Sequence, residues 1–247
     1  MLRCTPLLPA ADHFFTVKDL SLRDDPQEWD AVARLISVDR ENLLLIRQVH
    51  GADVAVAPPA RPRPWNRPDA DAIVSNDPTA ALVVRVADCV PVLLSDETGR
   101  AVAAIHAGWR GTMKRAVIAG VSALQSRYGI RPERLIAAVG PSIGPCCYEV
   151  DESARQAFRD EGHHPAMLDR WFERRPRGKY HLDLWSATRD ELEGAGVNAG
   201  NIHIAELCTK THSPSLHSYR VDGERAGRMA GVIRAQGVRS NTPQVRA

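Results

Sequence analysis

The 247-residue chain has almost no excess charge of either sign, few aromatics and no long apolar run, and each shortage excludes something. Its 32 Lys and Arg stand against 30 Asp and Glu, a net charge of +2. A dedicated nucleic-acid binder usually carries a clustered basic face, so this balance argues against one, although the basic residues are mostly Arg. The most apolar window, 80–94, is interrupted by Arg85, Asp88 and Pro91. It falls far short of the ~18 consecutive apolar residues of a membrane span. Cysteine is sparse: five residues, two of them adjacent at Cys146 and Cys147, suit neither a disulfide framework nor a CxxC zinc ribbon. Reduced thiols and a cytoplasmic location fit better. The first eleven residues hold one Arg and a short apolar stretch broken by Pro6 and Pro9, too short for the apolar region of a signal peptide.

What is present is a composition 44% hydrophobic and 25% charged, which supports a substantial core under a soluble surface and rules out disorder and fibrous folds. The one break in composition is 58–68, with five prolines and three arginines, which reads as an exposed extended connector or a lid. It lies too early to divide the chain, so 1–247 is read as a single domain with a loose tail at 237–247. Nothing in the sequence sets an oligomeric state.

Short runs rich in Val, Ile and Leu at 42–49, 70–75, 80–86, 90–95, 101–106, 135–139 and 201–205 read as strands. Thr98-Gly99 between two of them signals a hairpin, which brings Cys89 and His106 to one end of an antiparallel pair. The segments 112–128, 151–158, 183–195 and 223–234 read as helices. The basic stretch 170–179 reads as a solvated loop, and His163-His164 as a solvated turn.

Three segments place an imidazole or thiol beside turn residues: Gln48-Val49-His50-Gly51, Ala87-Asp88-Cys89, and His106-Ala107-Gly108-Trp109-Arg110-Gly111. Two His and one Cys from different strand ends suit a zinc site that leaves its fourth position open, the arrangement of catalytic rather than structural zinc. Their separations, 39 and 17 residues, match no compact finger, and a lone buried Cys or His is often simple core.

The strings RQVHGADV, VADCVPVLLSD, AAIHAGWRGT, GPSIGPCCYEV and HSYRVDGERAGR, in this order, closely resemble the laccase-domain family, also called the YfiH or polyphenol-oxidase-like purine nucleoside phosphorylase family. The resemblance spans about 42–234. It implies an α+β fold, mixed and antiparallel β-sheets flanked by helices in one domain (a YfiH/CNF1-like layered fold). It implies zinc ligands at His50, Cys89 and His106, and phosphorolysis of adenosine, inosine, guanosine and methylthioadenosine, with deamination of adenosine. Phosphate and purine nucleosides are then the partners. Arg47 and Arg110 flank two of the ligands and offer positive charge to phosphate, unless Arg110 pairs with Asp88. Trp109 and Trp65 offer flat faces to a purine.

The N-terminal 13–18 lacks the strings usual in the family. Near the other end, Leu216-His217 stands for a paired aromatic, and His217 is either a polar group of the site or a surface substitution. Laccase proper needs several coppers held by His-X-His pairs, and none of the nine His forms one. A soft N/S trio still has affinity for copper. Two other readings stay open. Cys89 with His106 as its base would make a thiol hydrolase. A zinc-binding interaction module would close the fourth position with Cys147, Cys208 or His212, whereas Cys146-Cys147 reads first as packing in the Gly/Pro loop and second as placing Cys147 in the lining of the substrate site.

Overall fold

The computed structural model describes residues 1–58 and 65–237, so most of the proline-rich connector and nearly all of the expected tail lie outside the described residues. The chain opens with β1 (Ala11–Phe15), α1 (Pro26–Ile36), β2 (Leu43–Leu45), β3 (Val54–Val56), β4 (Ala72–Ser75) and β5 (Ala81–Val86). The hairpin β6 (Val90–Asp96) and β7 (Val102–Ala107) runs directly into α2 (Trp109–Met113), α3 (Ala116–Tyr128) and β8 (Leu135–Val139). Then come β9 (Glu149–Asp151), α4 (Glu152–Asp160), α5 (Pro165–Trp171), β10 (Phe172–Arg175), β11 (Lys179–Leu182), α6 (Leu184–Gly194), β12 (Ile202–Ile204), α7 (Tyr219–Asp222) and β13 (Met229–Ala235).

Two mixed sheets form the centre, one of four strands in the order β1-β13-β5-β2 and one of six in the order β12-β8-β6-β7-β4-β3. A third sheet, β10-β11-β9, is a small antiparallel meander. Alternation along the strands assigns the layers. In β6 and β7, Val92, Leu94, Ala103 and Ile105 meet Val117, Val121 and Leu124 of α3. Leu93, Val102 and Ala104 point the other way, onto Leu82, Val84 and Ile233 of the four-stranded sheet. The far face of that sheet, with Phe14, Val83 and Val232, is covered by Trp29, Val32 and Ile36 of α1. The result is an α+β domain in which two stacked sheets lie between helices. Strands buried on both faces read as continuous apolar runs, which is why 90–95 and 101–106 look so uniform in the sequence. The expected hairpin is present, with Pro91 opposite His106 and Val90 opposite Ala107.

Four expectations are corrected. The segment 223–234 is not a helix: its second half is β13, the strand between β1 and β5, buried on both faces so that its apolar pattern carries no distinguishing period. The expected helix 112–128 is two, starting at Trp109 and broken at Arg115, whose φ of 63° cannot continue a helix. The basic stretch 170–179 forms the β10–β11 hairpin, its charges paired as Arg170–Asp190, Arg175–Glu173 and Lys179–Asp151. His163 is buried rather than solvated, in contact with Phe158 and Trp171 and 2.7 Å from the Met113 carbonyl.

Glu191 of α6 is 2% exposed and its carboxylate oxygens have no hydrogen-bond partner among the described residues. Burial pushes its carboxyl well above the ordinary 4.5, against the opposing pull of the Arg115 charge. The unfolded chain then loses this proton near pH 4.5 while the folded chain keeps it, so stability falls as pH rises from 4.5 towards the folded value. Glu191→Gln, which cannot ionise, is expected to melt higher than the parent at pH 8 and to lose that advantage as pH approaches 5. Thermal melts across that range check this, and a difference that does not change with pH would show that the carboxyl is ionised in the fold.

Candidate metal centre and its cleft

The site lies where the chain changes sheets. Residues 46–53 cross from β2 in the four-stranded sheet to β3 in the six-stranded one, and 87–89 cross from β5 to β6 in the same sense. Each crossing turns through left-handed backbone at a residue with a side chain, His50 (φ 57°) and Asp88 (φ 86°). Such conformations cost about 1–3 kcal/mol and persist where the surroundings hold them.

Asp71 and Asp88 are what hold them. Asp71, fully buried in the sequence Ala70-Asp71-Ala72, accepts the backbone N–H groups of Val49 (3.2 Å), His50 (3.1 Å) and Gly51 (2.5 Å). Its Oδ1 also lies 2.8 Å from His106 Nδ1. Burial alone would raise this carboxyl, yet His106 and the N–H groups of Gly51 and Val49 keep it below the ordinary carboxylate range. Asp88 accepts the Thr209 hydroxyl (2.5 Å) and the Arg220 N–H (2.6 Å), while its own carbonyl takes the Ile143 N–H (2.8 Å).

These corners and the end of β7 bring His50, Cys89 and His106 together, one ligand atom of each lying within 4.8 Å of the others. The two imidazoles meet edge to face with centroids 4.9 Å apart. Gly108 makes the approach feasible, because a Cβ there would stand 2.7 Å from Cys89 Sγ. Burial pushes the Cys89 thiol up, but the His106 and His50 imidazoles outweigh it and bring the thiol down to about 6. Burial likewise favours neutral His106, and the Cys89 thiolate and Asp71 overcome it, raising the imidazole to about 9. The donor set fits a borderline-soft divalent ion: a thiolate, two imidazoles, and a carboxylate fixing the Nδ1–H of His106 so that Nε2 is left to coordinate.

The trio forms the floor of a cleft of about 600 Å³ whose walls include Gln48, Arg85, Trp109, Arg110, Tyr148 and Arg228. Of the residues singled out in the sequence, Arg47, Trp109 and Arg110 line it. Arg47 is at the exposed rim with both guanidinium arms on Asp69, so its charge is compensated. Arg110 does not pair with Asp88; its guanidinium lies 4.2 Å from the Trp109 ring centre and meets no carboxylate among the described residues. His217 is neither in the cleft lining nor on the surface: it is buried with Nε2 3.0 Å from the Leu20 carbonyl, pressed against Gly227. Cys147 also lies outside the cleft lining, gathered with exposed Cys146 and buried Cys208. Trp65 lines a different cleft, beside Trp29 and Arg67, its indole N–H donated to the Leu45 carbonyl.

Asp71, Arg85 and Tyr148 are among the site residues that sequence reasoning passed over, and Asp88 was read only as a partner for Arg110. The usable signal for Asp71 was a carboxylate inside an apolar strand run, where burial without partners would be prohibitive. Arg85 had the same signal. Gln48 clamps that strand end, its side chain accepting the Arg85 N–H and donating to the Arg85 carbonyl, both at 2.8 Å.

Fold and donor set together define a single-domain α+β protein with a cleft built around a His₂Cys group able to hold a metal ion. The chain belongs to the family described as multi-copper polyphenol oxidoreductase laccase, which matches residues 20–236. It is 36% identical over 228 residues to a purine nucleoside phosphorylase of Deinococcus radiodurans, covering 91% of this chain and 84% of that one. A purine nucleoside phosphorylase of Bacteroides thetaiotaomicron is 36% identical over 163 residues, a match spanning 66% of this chain and 60% of the relative's length. A protein of an unknown prokaryotic organism named adenosine deaminase RL5 is 35% identical over 210 residues, covering 82% and 79%. The crystal structure of YlmD from Geobacillus stearothermophilus superposes with a TM-score of 0.81 at 27% identity, covering 94% of each chain.

Proposed function

We propose that the protein is a zinc-dependent purine nucleoside phosphorylase that also deaminates adenosine, with adenosine, inosine, guanosine and methylthioadenosine as nucleoside substrates, acting in the cytoplasm. The observation that carries the reading is the convergence of His50, Cys89 and His106 in a cleft whose lining also holds Trp109, Tyr148 and the guanidinium of Arg110, which meets no carboxylate among the described residues. The names of the relatives support it. Zinc is preferred to copper because the chain offers one N/S trio and no His-X-His pair.

Phosphorolysis forms a bond from a phosphate oxygen to C1′, breaks the bond from C1′ to the purine nitrogen, and leaves the bonding pair on the base. Two negative groups must therefore be held a bond length or two apart. Arg110 and Arg85 suit this, since neither guanidinium has a carboxylate partner among the described residues and both line the cleft. Burial and the nearby charges of Arg67 and Arg228 depress the Arg85 guanidinium below its usual value, against the smaller opposing pull of Asp24. Trp109 and Tyr148 offer flat faces for the purine. Deamination adds water at the amino-bearing purine carbon, and the proton lost by the water leaves with the ammonia. Zinc held by His50, Cys89 and His106 supplies Lewis-acid chemistry at neutral pH.

A second reading has one observation in its favour: Cys89 near 6 beside His106 near 9 is the thiolate–imidazolium state of an activated nucleophile. It leaves His50 without a role. Chelator-washed protein separates the two. Metal analysis before washing should give close to one zinc per chain. Chromatography should show inosine formed from adenosine without phosphate, and free base appearing only with phosphate. Arg110→Ala should lower phosphorolysis by ~10–100-fold, as loss of a charged hydrogen bond of about 1.5–3 kcal/mol requires, and leave deamination nearly unchanged. Equal losses would remove phosphate from its role, and turnover surviving complete zinc removal would favour the thiol mechanism.

A further inference from the structure

Three of the five cysteines meet outside the cleft lining. Cys146 and Cys147 lie at the end of the loop 140–147, Cys208 lies beyond β12, and the three sulfurs are within 4.8 Å of one another, with Cys146 and Cys147 3.5 Å apart. A cation bonded to three sulfurs at about 2.3 Å requires them to stand about 3.8–4.0 Å apart, a separation inside the 4.8 Å limit of this group.

The surrounding backbone is built to hold the group. Residues 142 and 208 form a parallel bridge, with the Ser142 N–H on the Leu207 carbonyl (3.2 Å) and the Thr209 N–H on the Ser142 carbonyl (3.0 Å). The turn after Cys208 is closed by the His212 N–H, which donates to the Cys208 carbonyl (3.0 Å). Gly144 is required for this closeness, since a Cβ there would stand 3.2 Å from Cys208 Cβ and 2.6 Å from the Trp185 ring. Burial is graded: Cys208 is 3% exposed, Cys147 intermediate and Cys146 open to solvent, which gives a cation a path in.

We propose that Cys146, Cys147 and Cys208 form a second metal site, taking the soft monovalent cation Cu(I) in three-sulfur coordination. All three donors of the group are thiols, with no imidazole or carboxylate among them, and thiolate sets select soft ions. Structural zinc closes with four ligands, whereas the open face at Cys146 suits an ion content with three. The thiols give up their protons to solvent as they coordinate, so binding tightens as pH rises. The site abuts the cleft on both of its strands: Tyr148, next to Cys147, lines the cleft, and Thr209, next to Cys208, donates to Asp88.

The test uses the zinc-loaded protein, without oxygen, titrated with Cu(I) against a chromophoric Cu(I) chelator. One equivalent is expected to bind, with ultraviolet sulfur-to-copper charge-transfer absorption and with Cys146 protected from a thiol reagent. Cys146→Ser, at an exposed position that does not threaten folding, should weaken Cu(I) binding ~10-fold or more while zinc content and nucleoside turnover stay unchanged. Cys89→Ser should still bind the equivalent. Uptake unaffected by Cys146→Ser, or abolished by Cys89→Ser, would overturn the site. A second zinc equivalent that is lost in Cys146→Ser would overturn the choice of Cu(I).

Discussion

Cys89→Ser is expected to empty the centre of zinc and to lower phosphorolysis and deamination together by ~10³-fold or more. The reasoning starts from the sulfur. Cys89 is the one soft, anionic donor of the trio, drawn down to about 6 by the two imidazoles it faces. A serine hydroxyl keeps the size but stays protonated at neutral pH and coordinates weakly. Removing a group outside the ligand sphere typically costs 10–100-fold in metal affinity, so removing a ligand should cost more. Lewis-acid stabilisation is worth several kcal/mol, and each 1.36 kcal/mol is about tenfold in rate. Zinc by elemental analysis and both rates, measured on the same sample, decide the matter. Metal lost with both activities retained would remove zinc from the mechanism. A variant that keeps its zinc but is inactive would shift the role of Cys89 to nucleophile.

Asp71→Ala is expected to damage the site from beneath and the fold along with it. One buried carboxylate holds the N–H groups of Val49, His50 and Gly51 and the Nδ1 of His106. Without it four donors point at nothing, the left-handed turn at His50 loses its anchor, and His106 loses the partner that fixes its tautomer. Breaking a buried pair of this kind costs about 3–5 kcal/mol, and zinc affinity should fall a further ~10–100-fold. Excess zinc should recover part of the melting temperature, because ligand binding to the folded state stabilises it by mass action. A variant that melts and binds zinc like the parent would show that the loop is held by something other than Asp71.

His50, Cys89 and His106 stand out in the sequence because each sits at an abrupt change of pattern, where an apolar run stops at a turn residue with an imidazole or a thiol beside it, and the family resemblance is what suggests a metal there. The β6–β7 hairpin was legible for a similar reason, since Thr98-Gly99 is a local signal and fixes which residues face each other. The partners of the ligands were not. Asp71 is separated from His106 by 35 positions and joined to it only through the pairing of β4 with β7, which no local pattern states. The final strand was misread because burial on both faces removes the period that tells strand from helix, and residues 226–235 satisfy either. The cysteine triad joins Cys147 to Cys208 across 61 positions of the chain, so only the fold brings its third member into view.

Both corners that carry ligands are places where the chain leaves one sheet for the other, and that has a bearing on how such a protein changes over time. The cleft is tied to the stacking of two sheets whose strands are buried on both sides, so a residue inserted within β5, β6 or β7 would turn part of that strand out of phase with its layer. The rim has no such tie: Trp109, Arg110, Tyr148 and Arg85 reach the cleft from a helix start, a loop and a strand end. Substrate preference can therefore drift by single exchanges around the opening, while the chemistry below is inherited as a block.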